Sequence, residues 1–69
     1  MDSEDRFNQL MTQLGSLNEQ VRQLEDVDYM TATYKGYSNA GLTLEEVKDE
    51  IDRLRQQIET LNRELDAFD

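Results

Sequence analysis

The chain contains no cysteine, histidine, proline or tryptophan. Without cysteine it has no disulfide framework, no thiolate zinc site and no nucleophilic thiol. Without histidine it lacks the side chain that most often binds metals and transfers protons near neutral pH. These absences argue against an enzyme, and we expect no catalytic residue, no metal site and no cofactor.

Basic residues are scarce, and long apolar runs are missing. Seven Lys and Arg residues against sixteen Asp and Glu residues give a net charge of −9, which repels phosphates and anionic membranes and favours basic partners. No apolar run approaches the roughly 20 residues of a membrane span, and the polar N-terminus lacks the features of a signal peptide. We expect a protein that is cytoplasmic when made and binds neither membranes nor nucleic acid directly.

Two series of apolar residues recur at alternating spacings of three and four. This is the a/d pattern of a coiled coil, with one apolar seam on each of two helices. A chain of 69 residues is near the size at which one hydrophobic core is marginal, so a partner or self-association is expected. The series are Phe7, Leu10, Leu14, Leu17, Val21 and Leu24, then Leu44, Val47, Ile51, Leu54, Ile58, Leu61, Leu65 and Phe68.

Capping signals predict where the two helices begin. Asp2 or Ser3 can cap the first, and Thr43 with Glu46 forms the capping-box pattern for the second. We therefore predict a single all-α or mainly α domain over residues 1–69, with helices at 3–26 and 43–67. The two long amphipathic helices are predicted to pair as an antiparallel coiled-coil hairpin.

The predicted hairpin aligns the seams in six layers, from Leu24 opposite Leu44 to Phe7 opposite Leu61. Two copies of the second helix in parallel would also satisfy its seam, so a dimer remains an alternative. Some apolar residues fall outside the six layers and are expected to meet the central segment or a second molecule: Met11, Val27, Leu65 and Phe68.

Charges at the helix edges favour the same antiparallel register. It brings Glu25 toward Lys48 and Arg6 toward Glu64, and both pairs are opposite in sign. Exposed pairs contribute only about 0 to 1 kcal/mol each. They therefore select the orientation only if both orientations satisfy the apolar seams.

The connecting segment, residues 27–42, breaks the helical pattern and contains three of the five aromatic residues. Its β-favouring residues predict a short β-hairpin-like or irregular segment, with residues 29–34 paired to residues 37–42 around Lys35-Gly36. Tyrosine offers a large amphipathic contact area. We therefore predict a partner-binding surface made by this segment and the overhanging C-terminal end: Tyr29, Met30, Tyr34, Tyr37, Leu65 and Phe68.

A second surface is an acidic stripe that recurs every seven residues along the second helix. Such a stripe could imitate the phosphates of nucleic acid toward a basic protein, although basic residues interrupt it. It consists of Glu45, Asp52, Glu59 and Asp66.

The order of elements resembles that of a phage protein family. A first helix, a short β-like insert turning at glycine, and a Thr-capped helix reading LTLEEV at 42–47, with Ile51, Leu54 and Ile58, are similar to the small head–tail joining proteins of tailed bacteriophages, the lambda W type. This resemblance implies a non-enzymatic adaptor with two antiparallel helices and a hairpin. It also implies assembly in a ring beneath the portal, within a virion.

The sequence therefore predicts a non-enzymatic structural or adaptor protein that acts through protein–protein interaction, with the phage connector as its most specific form. One alternative is an acidic inhibitor or DNA mimic that binds a basic protein. Another is a simple coiled-coil oligomerisation module. The expected partner is another protein, a second copy of the chain in a dimer or ring, or both.

Overall fold

The computed structural model describes residues 3–68, and this part of the chain is mainly helical and contains no strand. The predicted cap at Asp2 lies outside the described residues, and Ser3 already belongs to the first helix. The elements are α1 (Ser3–Gln23), a π-helical segment (Leu24–Asp28), α2 (Tyr29–Lys35) and α3 (Leu44–Asp66).

The first three elements form one continuous helix, residues 3–35, which we call the long helix. The backbone stays in the right-handed helical region at Gln23, Asp28 and Tyr29, and the Tyr29 N–H donates to the Leu24 carbonyl, five residues back. An α-helix would use a carbonyl four residues back. The π segment therefore adds one residue without adding a turn.

This extra residue changes which side chains face α3. After Leu24, an uninterrupted heptad pattern would place Asp28 and Thr31 on the seam. The π segment moves the seam on by one residue, so that Tyr29 and Ala32 lie there instead. Ala32 is only 2% exposed and belongs to the hydrophobic core, and Tyr29 packs against the same core. The π segment thus exchanges two polar seam positions for two apolar ones.

The predicted β-hairpin is wrong. Residues 29–35 are helical, and the long helix continues to Lys35 rather than ending near residue 26. The β preference of this stretch is a weak, context-dependent tendency. It is outweighed here because the helical conformation brings Ala32 and Tyr29 onto α3.

A tight turn, residues 36–43, joins the long helix to α3. Gly36 ends the helix in the left-handed region with φ 91°, and its N–H donates to the Ala32 carbonyl. Ser38 is buried: its Oγ accepts from the Leu42 N–H at 3.1 Å, and its own N–H donates to the Leu42 carbonyl at 2.7 Å. Gly41 also has positive φ, at 87°. This irregular turn replaces the longer connection predicted from the sequence.

The predicted capping box at the start of α3 is confirmed. The Glu46 N–H donates to the Thr43 Oγ1 at 3.2 Å, and the Thr43 N–H donates to the Glu46 Oε1 at 3.0 Å. The two bonds satisfy backbone donors that the first helical turn leaves without partners.

The contacts between the long helix and α3 lie one heptad away from the predicted register. Phe7 packs edge to face on Phe68, with 5.8 Å between ring centroids, whereas the predicted register pairs it with Leu61. Leu24 is buried in a cluster with Ile51 and other core residues, whereas Leu44 only packs at the edge of that cluster. Because the long helix extends further than predicted, the chain turns later and α3 is displaced along it.

Of the two charged pairs predicted at the helix edges, one shows the same displacement and the other forms as predicted. Glu25 pairs with Arg55, seven residues beyond the predicted Lys48, and Lys48 lies 3.9 Å from Glu45 instead. The predicted pair of Arg6 with Glu64 is confirmed at 3.0 Å, because two long side chains bridge the offset. The first turns of the long helix thus lie beside the last turns of α3, in a rod of 47 × 15 × 15 Å.

Candidate interaction surface

The structure of residues 3–68 bears on metal binding, on membrane crossing and on the buried Ser38. No group of three or more Asp and Glu residues there is placed to hold a metal ion, and no helix in that part of the chain is long and apolar enough to cross a membrane. Ser38 is buried, and its hydroxyl accepts a backbone hydrogen bond within the turn. Ser38 therefore stabilises the turn.

The predicted tyrosine segment is divided between the core and the surface. Tyr29 is half-buried against the core. Met30 is 63% exposed, Tyr34 is 93% exposed and Tyr37 is 57% exposed. The last three residues therefore form an outward apolar and aromatic surface, while Tyr29 supports the packing of the helix beneath it.

The predicted contact residues at the C-terminal end pack within the chain. Phe68 meets Phe7 in the edge-to-face arrangement, and Leu65 is half-buried. The one-heptad displacement brings Phe68 over the long helix, so this end does not overhang as predicted. About 40% of each phenylalanine side chain still remains exposed, so this pair also contributes apolar surface.

Two further exposed apolar residues lie on the long helix. Met11 is 46% exposed, and Val27 is also exposed. The sequence signals both, because neither fits the a/d seam. Both are expected from the sequence to meet the central segment or a second molecule, but the predicted partner-binding surface omits them.

The acidic stripe on α3 is exposed along its whole length. Basic neighbours accompany two of its members: Glu45 lies 3.9 Å from Lys48, and the Arg63 Nη2 donates to Glu59 at 2.6 Å. These pairs weaken the uniform negative field that a mimic of nucleic acid would present. The stripe consists of Glu45, Asp52, Glu59 and Asp66.

The strongest negative field lies around the turn. Residues 24–52 contain eight acidic and two basic residues. The rest of the described chain, residues 3–23 and 53–68, contains six acidic and five basic residues. A molecule that binds over the turn therefore contacts apolar side chains that are surrounded by acidic residues. The eight acidic residues are Glu25, Asp26, Asp28, Glu45, Glu46, Asp49, Glu50 and Asp52.

Two glutamates on α3 have lowered pKa values, and both have structural causes. The backbone N–H of Thr43 donates to the Glu46 carboxylate and lowers its pKa below the ordinary 4.5, and the Thr43 side chain lowers it further. A hydrogen bond from Arg53 lowers the pKa of Glu50. Both shifts favour the charged form, so neither carboxylate is prepared to act as a proton donor near neutral pH.

No family model, curated protein or solved structure matches this chain.

Proposed function

We propose that this protein is an antiparallel coiled-coil hairpin that works as a non-enzymatic structural adaptor, acting through protein–protein contacts. One observation carries the proposal. Met30, Tyr34 and Tyr37 expose most of their side chains at one end of a thin rod. Aromatic and methionine side chains are enriched in protein interfaces, and exposed apolar groups that cluster together mark interaction sites.

The experiment for this proposal uses a photo-activatable amino acid at Tyr34 in the full chain, expressed in the cell that produces it. We expect covalent adducts with protein, resolved by mass on a gel and identified by peptide sequencing. The matched control places the same group at Asp66, which is exposed on α3. The absence of adducts from Tyr34, or equal adducts from both positions, would contradict an adaptor role for this surface.

The resemblance to head–tail joining proteins, which rests on the Thr-capped helix because the expected β-like insert is largely helical, leads to the most specific form of the proposal, a virion component that joins head to tail. We expect such a component to be found, at a fixed copy number, in purified phage particles. Quantitative mass spectrometry of intact particles would measure it. A chain found only in the unassembled fraction would contradict the connector role while leaving the general adaptor role in place.

The acidic inhibitor or DNA mimic is the second candidate function. The full exposure of Glu45, Asp52, Glu59 and Asp66 favours it. It requires binding to a basic protein that weakens steeply with salt. The protein should then compete with DNA for the basic partner, and replacement of the four residues by Gln or Asn should abolish this competition. An adaptor that binds through Tyr34 should keep its partner after the same replacement.

A further inference from the structure

The long helix carries a line of exposed apolar residues on its outer side, and the π segment aligns them. Met11 and Met30 are nineteen residues apart. Because the π segment takes up one residue without advancing the helix, the interval equals eighteen α-helical residues. At 3.6 residues per turn this is about five whole turns, so the two methionines lie on the same side.

Aromatic residues extend this line at both ends. Tyr34 lies one turn after Met30 and shares its side. Phe7 lies one turn before Met11, at the border between this side and the seam, since its ring also packs on Phe68. All four are exposed. Gly15, one turn after Met11, belongs to the same side, and no atom lies within 4 Å of a Cβ built there. This side of the helix therefore carries exposed apolar side chains toward both ends, and no other part of the chain covers it at Gly15.

We propose that this side is the interface between two antiparallel copies of the chain, with Met11 of one copy on Met30 of the other. The inference rests on the proposed function, since it names a second copy as a partner of the same surface. In such a two-fold arrangement, a residue before the π segment faces a residue after it when their numbers add to 41, as 11 and 30 do. Two facing residues that both precede the segment add to 40 instead, because the extra residue is not counted between them. Phe7 then faces Tyr34, which pairs aromatic side chains at both ends.

Charge also favours the antiparallel orientation. Glu19 and Arg22 both precede the π segment and add to 41, so each lies within one residue, about 1.5 Å of helical rise, of the opposite charge of the second copy. Both side chains are about 70% exposed, and within one chain they lie 3.7 Å apart. Asp26 faces Gly15, which carries no charge. A parallel pair in register would place each charged residue beside its own copy, and like charges that face each other are destabilising.

The dimensions of the rod suit a dimer that overlaps along its full length. The side of the rod measures 47 by 15 Å, so a face of an extent comparable with the roughly 800 Å² per partner that specific interfaces bury requires contact along its whole length. Contact over only one end would cover about half of this area. Full overlap also keeps the acidic region of one copy, residues 24–52, away from the same region of the other copy.

The first test is the solution mass of the full chain, measured by sedimentation equilibrium over a wide concentration range. We expect a dimer, and we expect Met30→Glu to weaken association at least tenfold while circular dichroism shows unchanged helix content. Gln56→Glu is the matched control, because it adds the same charge at an exposed residue of α3 that belongs to no proposed contact surface. A monomeric parent chain, or equal loss of association in both variants, would overturn the proposal.

The second test fixes the orientation and uses the absence of cysteine from the chain. Under mild oxidation, a mixture of Met11→Cys and Met30→Cys chains should form the mixed disulfide in preference to either symmetric one. Preferred symmetric disulfides would indicate parallel copies and overturn the proposal. If the parent chain is monomeric but Tyr34 still cross-links to another protein in the cell, the dimer fails and the adaptor function stands.

Discussion

The long helix and α3 use apolar residues differently. Apolar side chains of α3 lie along a single seam, with Val47, Ile51, Leu54 and Leu61 buried. Most of the exposed large apolar side chains belong instead to the long helix, namely Phe7, Met11, Val27, Met30 and Tyr34. The apolar residues of α3 therefore serve mainly to build the rod, whereas the long helix builds the rod on one side and leaves apolar side chains exposed on another.

The two helices also differ in regularity. The α3 helix begins with a full capping box and has no Gly or Pro. The long helix contains Gly15 and a π segment, and it ends at Gly36 in the left-handed conformation. In other proteins, π bulges frequently occur at functional sites. The irregular helix is the one that carries the proposed interface.

The largest expected effect comes from Leu54→Ala in α3. Leu54 is 2% exposed, and truncation of a buried leucine costs about 2 to 5 kcal/mol, a large fraction of the stability of a small domain. The matched change in the long helix is Leu14→Ala, where the side chain is only half-buried. Urea unfolding followed by circular dichroism should show the smaller loss for Leu14→Ala; equal losses would contradict the difference in burial between the two leucines.

Gly36→Ala should have the next largest effect. A residue with a Cβ at the φ of 91° seen there is expected to cost about 1 to 2 kcal/mol. Gly15→Ala should instead raise the free energy of unfolding, because Ala is about 1 kcal/mol more favourable than Gly within a helix. The new Cβ meets no atom within 4 Å. Thermal and urea unfolding would measure both. A stabilising Gly36→Ala would show that the long helix does not end there.

Deletion of Val27 should be nearly neutral. The deletion removes the extra residue of the π segment. Tyr29 and Ala32 stay on the seam, because they then follow Leu24 at the α-helical spacings of four and seven residues. Since Val27 is exposed, we expect a change in the free energy of unfolding of less than about 1 kcal/mol. Helix content and urea unfolding would measure it.

The control for that deletion removes Gln13 from the regular part of the same helix. This deletion rotates Phe7 and the buried Leu10 away from the seam, so it should destabilise the chain far more than deletion of Val27. Equal losses from the two deletions would show that the π segment does not serve to correct the seam.

The smallest expected effect is an acid-dependent loosening of the start of α3. The pKa of Glu46 is lowered, chiefly by the Thr43 N–H. The stability that Glu46 contributes is therefore fully present above its ordinary pKa of 4.5 and is lost as the pH falls through the lowered folded-state value. NMR titration of Glu46 should give a midpoint below 4.5. Glu46→Gln should remove this dependence, and a midpoint at or above the ordinary value would contradict it.

Part of the fold follows from local patterns in the sequence. The capping box of Thr43 and Glu46 is predictable because it depends on residues three apart. The seam of α3 is predictable because its spacing is unbroken from Leu44 to Leu65. The ion pair of Arg6 with Glu64 was also predicted correctly, although it is compatible with more than one register because both side chains are long.

The end of the long helix was mispredicted because the relevant signal is small. Leu24 and Tyr29 are five residues apart. This single irregular spacing is equally consistent with a π segment and with the end of a helix. The aromatic and β-branched residues that follow favoured the second interpretation. The same error set the register one heptad away, since the position of the turn decides which residues of α3 meet Phe7 and Leu24.

The sequence by itself determined the two amphipathic helices, the start of α3 and the lack of side chains for common metal and proton chemistry. Those properties depend on composition and on neighbours within about one turn of helix. Only the tertiary structure decided that the long helix passes through a π segment to Lys35. The physical reason is that burial of Tyr29 and Ala32 against α3 favours a backbone irregularity that no local preference specifies. The same irregularity places Met11 and Met30 on one exposed side.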